Sequence, residues 1–406
     1  MGLLVVGATT TEARAQLVTF DTSHTVFHEA PTRTKITVYT PGADLEVAPS
    51  RWLAVRAGWE ADVVSGASIA VKAGPAYQAT HPGADVVTGA SVKDLRNLAR
   101  GGFTLKNESI QLTGGYAYST ENDYRSNALN IAARTDAYEH NTQFEISYAR
   151  NFDRACDRVQ SANDTPPRFR ALEDSTGCFT SGNALRTTRA VGVDGFQGTW
   201  SQAWTATVAT QLVYTAQITN GFQSNPYRSV IVGEGLKAQE HEPENRARHA
   251  LALRANLYLK PLRAALRLSV RGYADTWDVK SVTGEAELER YLLEAFRVSL
   301  RGRFYRQSGA LFWSDDYTGG DRPLGPKGQY WTGDRELSPF FSVLAGLRVN
   351  YTLVPQKARL LGLMTSFKVG ASADVLFFHY EDFTLGGVPI DNARAYVLGL
   401  TASALF

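Results

Sequence analysis

Two cysteines and two methionines in 406 residues, a formal net charge of only +2 and no long apolar run set the first limits on this chain. The 42 Lys plus Arg nearly balance the 40 Asp plus Glu. No positive excess is left for a nucleic-acid backbone, which proteins grip by neutralising its phosphates, so no nucleic-acid partner is expected. No stretch approaches the roughly 18 consecutive apolar residues of a membrane-spanning helix. With a mean hydropathy of −0.23, a helical membrane protein is excluded. The seven histidines, His24, His28, His81, His140, His241, His249 and His379, lie scattered. None falls beside a serine and a carboxylate in a recognisable signature, and a nucleophile needs a positioned base. No catalytic residue, cofactor or metal is expected.

What the chain does have is aromatics at 11% and 35 glycines, a composition of strands and turns. Period-two alternation recurs throughout, and a strand places successive side chains on opposite faces. Leu266, Leu268, Val270 and Gly272 alternate with Arg267, Ser269, Arg271 and Tyr273. Phe296, Val298, Leu300, Gly302 and Phe304 alternate with Arg297, Ser299, Arg301, Arg303 and Tyr305. About sixteen strands can be placed, near residues 17–30, 34–48, 52–64, 94–106, 109–120, 123–135, 141–153, 187–200, 203–217, 247–259, 263–277, 281–292, 295–307, 339–353, 360–379 and 393–406. Tight links such as Pro49-Ser50-Arg51, Asn107-Glu108 and Lys260-Pro261-Leu262 alternate with long ones near 65–93, 154–186, 218–246 and 308–338.

Hydrocarbon cannot satisfy backbone N–H and C=O groups, so strands cross it only when the sheet closes on itself. The expected fold is therefore an all-β transmembrane antiparallel β-barrel with short periplasmic turns and long extracellular loops. Trp52, Trp59, Tyr118, Trp200, Trp204, Trp277, Phe377 and Tyr380, near strand ends, are expected to form interfacial girdles. Residues 1–15 read as a signal-peptide remnant. Their short apolar run is followed by Ala13-Arg14-Ala15 before Gln16, an A-x-A site, although the positive leading region is missing. Residues 16–406 are expected to be the barrel. Its last strand carries Tyr396, Leu398, Leu400 and Phe406 on one face, the expected C-terminal signal to a barrel assembly machinery.

Asp62-Val-Val-Ser-Gly-Ala-Ser68 and Asp85-Val-Val-Thr-Gly-Ala-Ser91 are near-copies at the two ends of one long loop, expected to hold it over the mouth. Cys156 and Cys178 fall within the segment expected to be a loop at 154–186, and in an exported protein they are expected to form a disulfide. Three neighbouring strands carry a lumen-facing charge ladder: Arg267 and Arg271, then Glu285, Glu287 and Glu289, then Arg297, Arg301 and Arg303. Cross-strand neighbours lie about 4.5–5.5 Å apart, within pairing distance. The ladder reads either as a network stiffening a wet wall or as a selective constriction. Arg56, Glu60, Asp62, Arg254 and Arg348 are expected to face inward as well. Asp315-Asp316, Asp321 and Glu381-Asp382 read as a solvated loop surface.

The chain resembles an uncharacterised set of bacterial proteins catalogued as a domain of unknown function and regarded as exported barrels. The resemblance is carried by Val64-Ser-Gly-Ala-Ser68, Ser119-Thr-Glu-Asn-Asp-Tyr-Arg125, Ala149-Arg-Asn-Phe-Asp153, Gly221-Phe-Gln-Ser-Asn-Pro-Tyr-Arg228, and Gly302-Arg-Phe-Tyr-Arg-Gln-Ser308 with Phe312. It implies a fold and an outer-membrane address but no activity, and the cysteine-containing segment departs from it. The expected role is a porin-like pore or translocation channel for polar solutes or polymers. The alternative is a non-conducting scaffold or sheath for periplasmic or surface protein partners, and an outer-membrane hydrolase ranks third. Outer-membrane lipid and lipopolysaccharide are the expected surroundings.

Overall fold

The computed structural model describes residues 17–30, 36–65, 86–88, 93–161, 163, 170–172, 177–179, 184–232, 236–314, 317, 329–354, 363–385, 388–389 and 392–406. The signal-peptide reading, half of the paired Ser-Gly elements (66–68, 85 and 89–91), and Asp315, Asp316 and Asp321 lie outside them.

In chain order the strands are β1 (Leu17–Glu29), β2 (Ile36–Ser50), β3 (Leu53–Ser65), β4 (Val86–Thr88), β5 (Lys93–Lys106), β6 (Ile110–Thr120), β7 (Tyr124–Ala137) and β8 (Thr142–Arg158). They continue with β9 (Arg186–Thr205), β10 (Val208–Gly221), β11 (Arg228–Val232), β12 (Leu236–Gln239), β13 (Asn245–Leu259), β14 (Ala264–Asp275) and β15 (Lys280–Tyr291). The remainder are β16 (Phe296–Gln307), β17 (Phe340–Leu353), β18 (Ser366–Tyr380), β19 (Thr384–Leu385), β20 (Val388–Pro389) and β21 (Asn392–Leu405). Sixteen of them close into one antiparallel barrel, and β4, β11, β12, β19 and β20 belong to small sheets outside it. Closure is made by β1 against β21, in register from Thr19↔Leu405 to Glu29↔Ala395. No edge is left with unpaired backbone groups.

One face of the closed sheet is oily and exposed, with Ile146, Leu253, Val270, Leu300 and Leu400 each more than half exposed. A soluble sheet would bury such a face, because contiguous exposed apolar patches larger than a few hundred Å² are rare on soluble monomers. Hydrocarbon is the solvent that accepts it, so the chain is a transmembrane β-barrel. The strand ends joined by the tight turns after β2, β5, β7, β9, β13 and β15 lie with both barrel termini at one end, and those joined by the long connections after β3, β8, β10 and β16 lie at the other. The links after β6 (121–123) and β14 (276–279) are short at that second end, and the one after β17 (354–365) is longer at the first.

The structure moves two sequence-based boundaries and reassigns two expected girdle residues. The β9–β10 turn lies at 206–207 rather than near 201–202, because the ladder runs to Ala203↔Ala209 and, past a register shift at Trp204, on to Thr205↔Val208. No Gly or Pro marks that turn. Strand β8 extends to Arg158, so Cys156 sits in the ladder opposite Thr188 instead of in a loop. It is bonded to Cys178, with their Cα atoms 5.4 Å apart. Trp277 and Tyr380 are 4% and 6% exposed and so are not girdle residues. Trp277 packs edge-on against Phe312, with Arg246 stacked 4.0 Å over its ring, while Tyr380 packs on Phe383 and Phe340. The other six expected girdle residues are exposed.

Candidate functional site: the lumen and its rim

Because the side-chain period is two, the face opposite the oily one lines the lumen. On β13 to β17 that inner face carries nine arginines, Arg246, Arg248, Arg254, Arg267, Arg271, Arg297, Arg301, Arg303 and Arg348, against four carboxylates, Asp275, Glu285, Glu287 and Glu289. On β1 to β3 it carries six carboxylates, Asp21, Glu29, Asp44, Glu46, Glu60 and Asp62, against Arg56 alone. In a ring of sixteen strands the one eight places from β2 is β13, and the one eight places from β3 is β14. A cationic wall therefore faces an anionic one.

The ladder read from sequence is partly assembled. Arg267 donates to Glu287 at 2.6 Å and to Glu289 at 3.2 Å, and Arg297 approaches Glu289 at 3.5 Å. Arg301 does not pair with Glu287, its direct cross-strand neighbour. Its Nε donates instead to Asp374 on β18 at 2.9 Å, two strands away. Arg271 and Arg303 make no ion pair among the described residues; each stacks over the tyrosine two residues on, Tyr273 at 5.7 Å and Tyr305 at 5.8 Å. Arg254 donates to Gln211 at 2.9 Å. Glu60 lies 3.9 Å from Arg100 and Asp62 3.0 Å from Arg96, whereas Arg56, Arg348 and Glu285 have no ion pair among the described residues.

Sequence reasoning missed Asp44, Arg96, Arg100 and Asp374, and with them a repeated device. Arg100, Gly58 and Asp44 stand in direct register on β5, β3 and β2, as do Arg301, Gly346 and Asp374 on β16, β17 and β18. In each, the arginine lies across the glycine to reach the carboxylate. A Cβ on Gly58 would come 2.1 Å from Asp44 Oδ1, and one on Gly346 would come 2.0 Å from Asp374 Oδ1. The available signal was an inward glycine placed between an inward arginine and an inward aspartate, visible only once register is known.

Among the described residues, the lumen wall opens into recesses, of which two matter here. One of about 490 Å³ touches β6 to β10, β13 and β14, with Asn130, Ser147, Gln197, Gln217, Arg248, Arg271 and Tyr273 among its lining residues and no carboxylate. The other, of about 570 Å³, is lined in part by Asp21, Asp44, Glu46, Arg56 and Arg100.

At the rim, the described residues 222–232 and 236–244 meet 308–314, 317 and 329–339. His241 and Trp331 exchange backbone hydrogen bonds, each at 3.0 Å. Fully buried Glu240 accepts from Thr332 Oγ1 and from the Gly333 N–H, both at 3.0 Å. Arg228 lies 3.4 Å from Glu240 and 2.7 Å from Asp334. Arg335 forks onto Glu29 of β1, and Gln239 donates to Asp157 of β8 at 3.2 Å. A continuous folded cap thus runs from the tip of β8 to the tip of β1. Burial outweighs the nearby Arg228 and pushes the Glu240 carboxyl up to about 7. Burial, reinforced by Glu240, raises Glu242 well above the usual carboxylate range.

The hydrogen bonds of His24, His28, His249 and His379 run to Tyr39, Thr37, Tyr214 and Asn392, so none of these four pairs with a serine. Tyr396, Leu398 and Leu400 face the oily side, and the Phe406 N–H closes onto the Val18 carbonyl at 2.9 Å. No curated protein matches the chain. Among solved structures it is similar to a bacterial polysaccharide outer membrane secretin, at 10% identity over 97% of this chain and 99% of that one, with a TM-score of 0.49. It is also similar to OccK9 (OpdG) of Pseudomonas aeruginosa, at 8% identity over 96% and 98%, with a TM-score of 0.44. A third is the siderophore receptor PirA of Acinetobacter baumannii, at 7% identity and a TM-score of 0.42, where 89% of this chain spans about half, 53%, of the receptor. Residues 3–365 match the family described as "Protein of unknown function (DUF3570)", and the chain belongs to that family.

Proposed function

We propose that this chain is a water-filled outer-membrane pore for polar solutes, reached by export and insertion through a barrel assembly machinery into a lipopolysaccharide-bearing membrane. The observation that carries the reading is the state of the lumen cations. Among the described residues, Arg56 and Arg348 are exposed on the inner face with no hydrogen bond or ion pair, and Arg271 and Arg303 have only tyrosine rings against them. A guanidinium without a counter-charge is far too costly to hold in a dry interior, so water must fill the space beside these four. A wet lumen through a closed barrel is a conduit unless its mouth is shut. The rim cap supports a second reading, in which its folded outer surface docks a surface protein and the barrel serves as scaffold.

Purified protein in a planar bilayer separates the two. Discrete conductance steps are the expected outcome for the pore. A barrel that inserts and stays silent, while binding a partner in stoichiometric amount, would defeat it.

A further inference from the structure

The two lumen recesses differ in chemistry. The one beside Arg248 and Arg271 has no Asp or Glu on its lining, whereas the other has Asp21, Asp44 and Glu46. Neither arginine makes an ion pair among the described residues: Asp275, the cross-strand neighbour of Arg248, is already bonded to Arg246. Arg248 donates to Thr219 at 2.8 Å and to Gln217 at 3.3 Å, and Arg271 stacks over Tyr273. Each is therefore oriented without being neutralised, and its remaining N–H edges can meet an incoming anion. A guanidinium fork matches the two oxygens of a carboxylate or phosphate, and a planar, pre-positioned fork loses little entropy on binding. Across the recess Asn130, Ser147 and Gln197 offer amide and hydroxyl groups to a solute's own hydroxyls. The volume of about 490 Å³ admits a molecule of sugar size.

Charge along the same wall points the same way. Most carboxylates on β1 to β3 have an arginine: Asp44 and Glu60 have Arg100, Asp62 has Arg96 and Glu29 has Arg335. On the cationic wall Arg254, Arg303 and Arg348 remain unpaired beside this recess's own two, with Glu285 the one carboxylate there lacking an ion pair among the described residues. On β1 to β3 the groups without an ion pair among the described residues are Asp21 and Glu46 against Arg56, so between these two walls the uncompensated charge is positive and sits on the recess side.

We infer that this recess is a binding station for small oxyanions, hydroxylated carboxylates or phosphates, within an anion-preferring pore. The inference rests on the pore reading. Reversal potentials in a potassium chloride gradient test its first half. Wild type is expected to reverse on the chloride side of zero, further at about 0.01 M salt than at about 1 M, because the Debye length shrinks from about 30 Å to about 3 Å. Inorganic phosphate, and separately gluconate, added to the chloride bath test the second half. Each is expected to reduce the chloride current in wild type, and the block is expected to be lost in Arg248→Gln and Arg271→Gln. Glu46→Gln, in the other recess, should keep it. A conducting wild type that prefers potassium or shows no preference at low salt overturns anion preference. Block unchanged in both arginine variants overturns the assigned station. A response to only one of phosphate and gluconate that both arginine variants lose supports the station and identifies its anion. No current at all brings down the pore reading itself, and this inference with it.

Discussion

Gly58 and Gly346 are small because an arginine side chain occupies the space a Cβ would need, each time on its way to an aspartate one strand further on. Asp374 is 4% exposed, so its charge depends on Arg301. Breaking a buried pair by removing one partner leaves an uncompensated charge and costs about 3–5 kcal/mol; Arg301 is partly exposed, so the low end applies here. Arg301→Met is expected to lower the unfolding temperature of the detergent-solubilised barrel, read by heat-modified migration on a gel. Gly346→Ala should do so by a smaller amount, because the far end of a side chain can shift. An unchanged Arg301→Met barrel would mean the clamp contributes nothing. The individual charges of this device are legible in the sequence, but the pairing is not. Arg301 has Glu287 as its nearest expected partner, and only the empty space over Gly346 redirects it.

Among the elements, the β8 extension and the rim cap behave independently of the membrane span. Cys156 lies fully buried against Leu172 and Tyr227, tying the tip of β8 to the segment after β10. Closing a loop over 22 residues of sequence separation stabilises by about 3 kcal/mol in the chain-entropy model. Reduction should therefore expose residues 159–185 to protease while the barrel keeps its heat-resistant migration; concurrent unfolding of the barrel would contradict this. The cap has a pH dependence of definite sign. Glu240, raised from 4.5 to about 7 by burial, binds its proton more tightly in the folded cap than in the open one. Its stabilising contribution is full below about 4.5 and is lost as pH rises through about 7, and Glu242 acts in the same direction. Protection against hydrogen exchange in 236–242 and 329–338, with the base-catalysed intrinsic rate divided out, should be greater at pH 5 than at pH 8. Glu240→Gln keeps an acceptor for Thr332 and Gly333 and should shrink the difference. Equal protection at both pH values would refute the assignment.

For the molecule as a whole, alternation and loop asymmetry made the barrel readable, since both follow from local chemistry: a period of two, and turns that punctuate it. What alternation could not carry is long-range. Trp277 and Tyr380 have the composition and position of girdle residues, and only the fold of the 308–339 segment shows them buried at the rim. Strand β8 runs past its expected end because its tip pairs with β9 beyond the span. The opposition of the two charged walls depends on closure, which sets β2 across from β13. Assignment of the oily face to lipid has a direct test at neighbouring positions of one strand. Val270, 60% exposed, faces outward, and Ser269 faces the lumen opposite Glu285 and Arg254. A lysine near the bilayer midplane on the lipid face costs about 2–4 kcal/mol, falling towards zero near the interfaces. Val270→Lys is thus expected to cut the folded fraction recovered in lipid vesicles, while Ser269→Lys, whose ammonium reaches water and Glu285, should leave it close to wild type. If both lysines were equally tolerated and the particle stayed in solution without detergent, the outer face would be meeting water, and neither a bilayer nor a pore could follow from this fold.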